Sequence, residues 1–84
     1  MPLRRVTVEC YAGARADERP RKIIIRGREH FVTSLLGESV EESAATKGQI
    51  RRYKVLTDEG LVFDVRRDSD GVWYLESERR ASRE

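Results

Sequence analysis

The sequence predicts an all-β domain, a small antiparallel meander of five or six strands curled into an SH3-like barrel or half-barrel. Three observations predict it. Apolar and polar residues alternate in short runs, β-branched and aromatic residues concentrate in those runs, and two similar turns, Asp58-Glu59-Gly60 and Ser69-Asp70-Gly71, cut the stretch from Gln49 to Ser77 into three strand-length segments. No segment sustains a helical period, and nothing repeats at solenoid spacing.

From Arg5 to Cys10 the side chains alternate, with Val6, Val8 and Cys10 on one face, as in a half-buried strand. Tyr11 to Arg19 reads as a loop that ends at Pro20, whose ring removes a backbone donor and pushes Arg19 toward extended geometry. A second strand from Lys22 to Arg26 contains Ile23-Ile24-Ile25. A hairpin through Arg26-Gly27-Arg28 leads to a third, from Glu29 to Leu36. Gly37 to Gly48 is polar and reads as an exposed loop. A single domain over residues 1–78 is expected, with 79–84 as a flexible charged tail.

The two turns allow register to be counted. If each is a three-residue loop with its glycine left-handed, Val55 meets Phe63 and Tyr53 meets Val65 on the inner face. Lys54 then meets Asp64, and Arg52 meets Arg66, on the outer face. The second turn places Arg67 opposite Trp73, Arg66 opposite Tyr74 and Val65 opposite Leu75. At the first turn a one-residue slip would scatter the apolar set; at the second, a four-residue loop starting at Asp68 would instead turn Tyr74 inward and Trp73 outward. The expected core is Val6, Val8, Ile23, Ile25, Phe31, Tyr53, Val55, Phe63, Val65, Trp73 and Leu75. Leu56 and Val62 pair on the outer side and need cover from a loop, barrel closure or a second subunit.

Composition narrows function by exclusion. The chain has 84 residues, with 17 Lys plus Arg against 15 Asp plus Glu, and a net charge of +2 is too small to indicate nucleic acid by itself. Lys22, Lys47 and Lys54 are the only lysines, so the basic residues are mostly arginine, which suits bidentate contact with phosphate or carboxylate and equally fits a compositional bias. One cysteine, Cys10, excludes an internal disulfide and leaves no zinc motif. The start of the chain lacks the apolar run of a signal peptide or membrane span, so a cytoplasmic protein is expected. His30 neighbours Glu29 on a strand, where adjacent side chains point to opposite faces, so the two make no dyad. No glycine-rich phosphate loop and no isolated carboxylate pair appear. Neither a cofactor nor enzymatic activity is expected.

Two rows cross the outer face. Lys54, Asp64 and Glu76 compensate one another. In the other, Arg52 faces Arg66 beside Tyr74, an arrangement that costs stability unless something anionic meets it. Nucleic-acid phosphates on the two guanidinium groups, with a base stacked on Tyr74 and help from Arg19 and Arg21, would answer that need. So would a cation-π pair of Arg66 with Tyr74 while Arg52 reaches Glu76 or a loop acid. The leading expectation is a non-enzymatic accessory domain that contacts DNA or RNA. The competing one is a protein-interaction module that docks a peptide on a sheet edge or aromatic groove, as a monomer or weak homodimer.

Glu18-Arg19-Pro20-Arg21, the Gly27 hairpin, Tyr53-x-Val55, Gly60-x-x-Phe63-Asp64 and Trp73-Tyr74-Leu75 together resemble an uncharacterised family of short bacterial domains, found alone or appended to Y-family DNA polymerase-like proteins. The resemblance covers most of Val6 to Leu75 and departs from the family pattern between Gly37 and Gly48. It implies a DNA-related accessory role by association only, and it assigns no catalytic residue.

Overall fold

Six strands form in the computed structural model, which describes residues 3–10, 19–43 and 48–81: β1 (Arg4–Cys10), β2 (Pro20–Ile25), β3 (Arg28–Ser43), β4 (Gly48–Thr57), β5 (Leu61–Arg67) and β6 (Trp73–Arg80). They pair antiparallel in chain order, and β1 returns to β6 to close a small barrel. The all-β expectation holds. Closure is short: only Arg4 to Val6 of β1 pair with β6, opposite Leu75, Tyr74 and Trp73.

Both glycine turns take the expected form. Gly60 and Gly71 lie at φ 81° and 86°, and their amides donate to Thr57 O at 3.0 Å and to Asp68 O at 2.9 Å. Glycine occupies that left-handed region without steric cost. The buried Thr57 hydroxyl also accepts from Leu61 N, and Asp70 accepts from Val72 N. The counted register of β4 on β5 follows, with Val55 opposite Phe63, Tyr53 opposite Val65 and Arg52 opposite Arg66. So does the start of β6, with Arg67 opposite Trp73 and Val65 opposite Leu75.

Four departures have physical causes. The β2–β3 hairpin turns on two residues, Arg26 at φ 53° and Gly27 at φ 80°, so Ile23 faces His30 and Lys22 faces Phe31. Two successive positive φ values are the type I′ turn that matches strand twist. The three-residue turn expected here would have aimed Phe31 inward. Instead Phe31 is 45% exposed and His30 7% exposed, because a one-residue shift exchanges the faces of a strand.

The second departure is the polar stretch from Gly37 to Gly48. Gly37 to Ser43 continue β3 and pair with Lys54 back to Gly48, so much of the expected loop is a two-stranded ribbon. β4 meets β5 from Arg51 onward, so the outer part of the ribbon pairs only with itself. Third, β6 runs on to Arg80, with Leu61 opposite Arg80 and Ala81 N donating to Gly60 O at 2.8 Å. Arg79 and Arg80, expected in a flexible tail, are therefore strand residues, while 82–84 lie outside the described residues. Finally, a bulge between Asp64 and Val65 leaves Glu76 as the extra residue and sets Ser77, not Glu76, opposite Asp64.

Eight buried side chains form the core: Val6, Ile23, Tyr53, Val55, Phe63, Val65, Trp73 and Leu75. All eight were expected. Val8, Cys10 and Ile25 pack against this cluster half-buried, with Val32, Leu35 and Leu61 beside them. Val62 is 5% exposed although it lies on the outer side, so the cover that it needs comes from within the chain, and Leu56 opposite it is half-buried. Tyr53 and Trp73 stack tilted at 5.6 Å between ring centroids, which joins β4 to β6 across β5.

Candidate functional site

The expected arginine row exists, and it is compensated from within the chain. Arg52 Nη1 donates to Glu41 Oε1 at 2.9 Å, and Nε donates to Glu76 Oε2 at 3.3 Å. Arg66 Nε lies 2.8 Å from Asp68 Oδ1, at an angle too far from linear for a hydrogen bond, and Nη2 reaches Oδ2 at 3.4 Å. Its Nη1 is 3.9 Å from Glu76, and its guanidinium sits over Tyr74 at 5.4 Å from the ring centroid. The Glu41 hydrogen bond, and after it Glu76, raise Arg52 above the ordinary arginine pKa against the opposing effect of desolvation. The bulge at Glu76 is what brings this carboxylate between the two arginines. Of the row Lys54-Asp64-Glu76, Lys54 faces Asp64 as expected, but Glu76 is not opposite Asp64, which takes Ser77 and Arg79 instead.

Arg19 and Arg21 are exposed at the entry to β2, away in sequence and strand from the Arg52 row, and Arg21 makes an interaction of its own. The five residues expected to act together do not converge on one uncompensated patch.

A different cluster gathers where closure is incomplete. Beyond Leu75, β6 has no β1 partner among the described residues, and the tips of the β2–β3 and β4–β5 hairpins approach the gap. A cavity of about 720 Å³ opens there, lined by Arg4, Arg26, Arg28 and Arg80 together with Glu59, Glu78 and His30. His30 lies edge-on to Phe63 at 5.2 Å, and its Nδ1 is 2.5 Å from Glu59 Oε1. Arg28 Nη2 holds the other oxygen at 3.0 Å. These contacts, His30 first and Arg28 after it, lower the Glu59 pKa below the usual glutamate value despite some opposing desolvation. The histidine thus has its carboxylate from a distant turn and not from Glu29, which pairs with Lys22 at 3.1 Å.

A third feature is backbone. β2 pairs with β3 only as far as Phe31, so from Val32 to Ser43 one edge of β3 has no strand partner among the described residues. Thr33, Ser34, Leu36 and the whole run from Glu38 to Glu42 are exposed. Leu36 and Val40 are about half exposed, at 51% and 50%. Bulges at Thr33 and Leu36 bend this strand out of the barrel. Beside it, a trough of about 330 Å³ opens over Gly37, bounded by Leu36, Lys54, Asp64 and Glu76.

Among the described residues no group of His, Cys, Asp and Glu is arranged to hold a metal, and no helix is long and apolar enough to cross a membrane. No family model matches the chain, and neither a curated protein nor a solved structure matches it. The resemblance to the polymerase-appended family accordingly stands on its short motifs alone.

Proposed function

We propose that the domain is a non-enzymatic interaction module that docks an extended, basic peptide by strand addition along the open edge of β3. One observation carries this reading: the edge from Val32 to Ser43 has no strand partner among the described residues, and most side chains from Thr33 to Glu42 are exposed. An unpaired strand edge offers alternating N–H and C=O groups that an incoming strand satisfies, while nearby pockets read alternate side chains. The trough over Gly37 is such a pocket.

Charge selects the occupant. Thr33 to Ser43 contains Glu38, Glu41 and Glu42 and no basic residue. A second copy added antiparallel would bring glutamates against glutamates, which is unfavourable in a sheet. Glu41 is held by Arg52, so lysine or arginine at alternate positions of a partner strand would meet Glu38 and Glu42 instead. Nucleic-acid contact through Arg52 and Arg66 is the weaker reading, because Glu41, Glu76 and Asp68 already occupy those guanidinium groups.

The test uses a synthetic alternating lysine-valine peptide, a glutamate-valine control and a proline-interrupted version. Binding of the first alone, with new amide-exchange protection confined to Thr33–Ser43 and loss in Leu36→Lys/Val40→Lys, is the expected result. Equal binding of the proline-interrupted peptide, absence of binding, or protection elsewhere in the barrel overturns the proposal.

A further inference from the structure

We infer that the incompletely closed mouth of the barrel is a phosphate-binding site, with Arg4, Arg26 and Arg80 as the groups that meet the anion. Four arginines against two glutamates give the lining a formal charge of +2, equal to that of the whole chain, so the rest of the molecule balances near zero. The excess is also uncommitted. Arg28 is tied to Glu59, whereas Arg4, Arg26 and Arg80 make no ion pair among the described residues. They come from three separate elements, the start of β1, the β2–β3 turn and the end of β6, and all are exposed at the rim. Guanidinium groups converging from several directions suit the oxygens of a phosphate.

Arg26 supplies a second, independent observation. It occupies φ 53°, at a turn position where glycine, asparagine or aspartate is ordinarily found. A long side chain gains nothing there from the turn itself. Strain retained at a residue that lines a charged cavity is a pointer to function. The Glu59 carboxylate, held by His30 and Arg28, is neutralised within the chain and leaves Glu78 as the remaining negative group of the lining. This site is distinct from the β3 edge and does not depend on peptide docking there.

The phosphate could belong to a nucleic-acid backbone or to a terminal or free phosphate, and the experiment separates them. Short single-stranded oligonucleotides with and without a 5′-phosphate, and inorganic pyrophosphate, are titrated at low salt into the parent, Arg26→Asn, Arg4→Gln/Arg80→Gln and Arg52→Ala/Arg66→Ala. Asparagine suits the turn, so Arg26→Asn retains the fold while removing one cation. We expect Arg26→Asn to weaken binding severalfold, Arg4→Gln/Arg80→Gln to weaken it at least tenfold, and the Arg52/Arg66 variant to bind as the parent does. For a backbone ligand, the slope of log affinity on log salt falls by about 0.7 for each arginine removed. Dependence on the 5′-phosphate, or binding of pyrophosphate, assigns a terminal or free phosphate; indifference to it assigns the backbone. The inference is overturned if no probe binds the parent, or if Arg26→Asn and Arg4→Gln/Arg80→Gln, shown folded by their amide spectra, bind undiminished.

Discussion

His30 and Glu59 meet at the barrel mouth, Nδ1 to Oε1 at 2.5 Å, although 29 residues separate them in the chain. The contact carries the β3–β4 pairing, which reaches Val32 opposite Thr57 and ends with Asp58 N donating to Phe31 O at 3.0 Å, out to the two hairpin tips: His30 follows the β2–β3 turn, and Glu59 is the middle residue of the β4–β5 turn. Arg28 grips the same carboxylate from the same side. Past the last backbone bond between these hairpins, the clasp adds a side-chain link at the mouth of a barrel whose closing ladder spans only Arg4 to Val6.

The clasp makes stability depend on acid pH. The folded-state pKa of Glu59 is lowered, His30 being the largest cause and Arg28 a smaller one. A depressed carboxylate contributes stability that is fully present above its unfolded pKa, about 4.3, and is lost as pH falls through the lower folded value. Thermal unfolding of the parent and Glu59→Gln should therefore differ near neutral pH and converge below about pH 4. A difference that persists unchanged into strong acid would remove the ionised carboxylate from the account.

Substitution at His30 and Phe31 reports the hairpin register. His30 is buried against Phe63, so His30→Ala opens a void beside the core and should cost about 2 kcal/mol. Phe31→Ala removes a half-exposed ring whose identified partner is Lys22, 5.5 Å away, and should cost about 0.5 kcal/mol. Urea denaturation distinguishes them directly. The reverse order would restore the three-residue turn and place Phe31 inside.

These two residues also show why some of the structure was legible in the sequence and some was not. The β4–β5–β6 meander could be counted because a three-residue loop ending at Gly60 puts Tyr53, Val55, Phe63 and Val65 on one face, and the same length ending at Gly71 adds Trp73 and Leu75 to it. Arg26-Gly27-Arg28 offers no such discrimination, since two-residue and three-residue turns both leave an aromatic ring, of His30 or of Phe31, facing inward. The ribbon from Gly37 to Ser43 escaped because a strand outside the barrel buries neither face, so its residues need not alternate. Glu76 was assigned to the neighbouring row because a bulge reflects barrel curvature and leaves no local signature in composition. The mouth arginines were invisible for a different reason: positions 4, 26, 28 and 80 become neighbours only when β1 closes on β6 and two hairpin tips converge.

Glu76 separates Arg52 from Arg66, and removing its charge should expose their repulsion. Each pair is half exposed and contributes about 0.5 kcal/mol, so Glu76→Gln should destabilise by about 1 kcal/mol at low salt. Added salt screens like charges, so the deficit should shrink as ionic strength rises. Adding Arg52→Ala to Glu76→Gln should recover part of the loss. No recovery in that double variant would mean that Arg52 and Arg66 do not oppose each other in the folded protein.

Gly48 anchors the ribbon by being small. A Cβ placed on it would lie 2.3 Å from Ser69 Cβ and 2.7 Å from its hydroxyl oxygen, well inside van der Waals contact, so the base of β4 passes directly under the β5–β6 turn. Its backbone conformation demands no glycine; the close approach does. Gly48→Ala must displace either the turn or the strand, at a cost of about 1 to 3 kcal/mol by analogy with overpacked cores. Ser69→Gly removes the opposing side chain and should by itself cost well under that. The double variant should therefore be more stable than the sum of the single effects, with a coupling of about 1 kcal/mol. Strict additivity in a denaturant cycle would show that the ribbon does not rest on this turn. A positive coupling would mean that the open β3 edge is carried by a ribbon held at its outer end, where Gly48 pairs with Ser43, and that Gly48→Ala should weaken capture of a strand peptide without altering any residue on the edge itself.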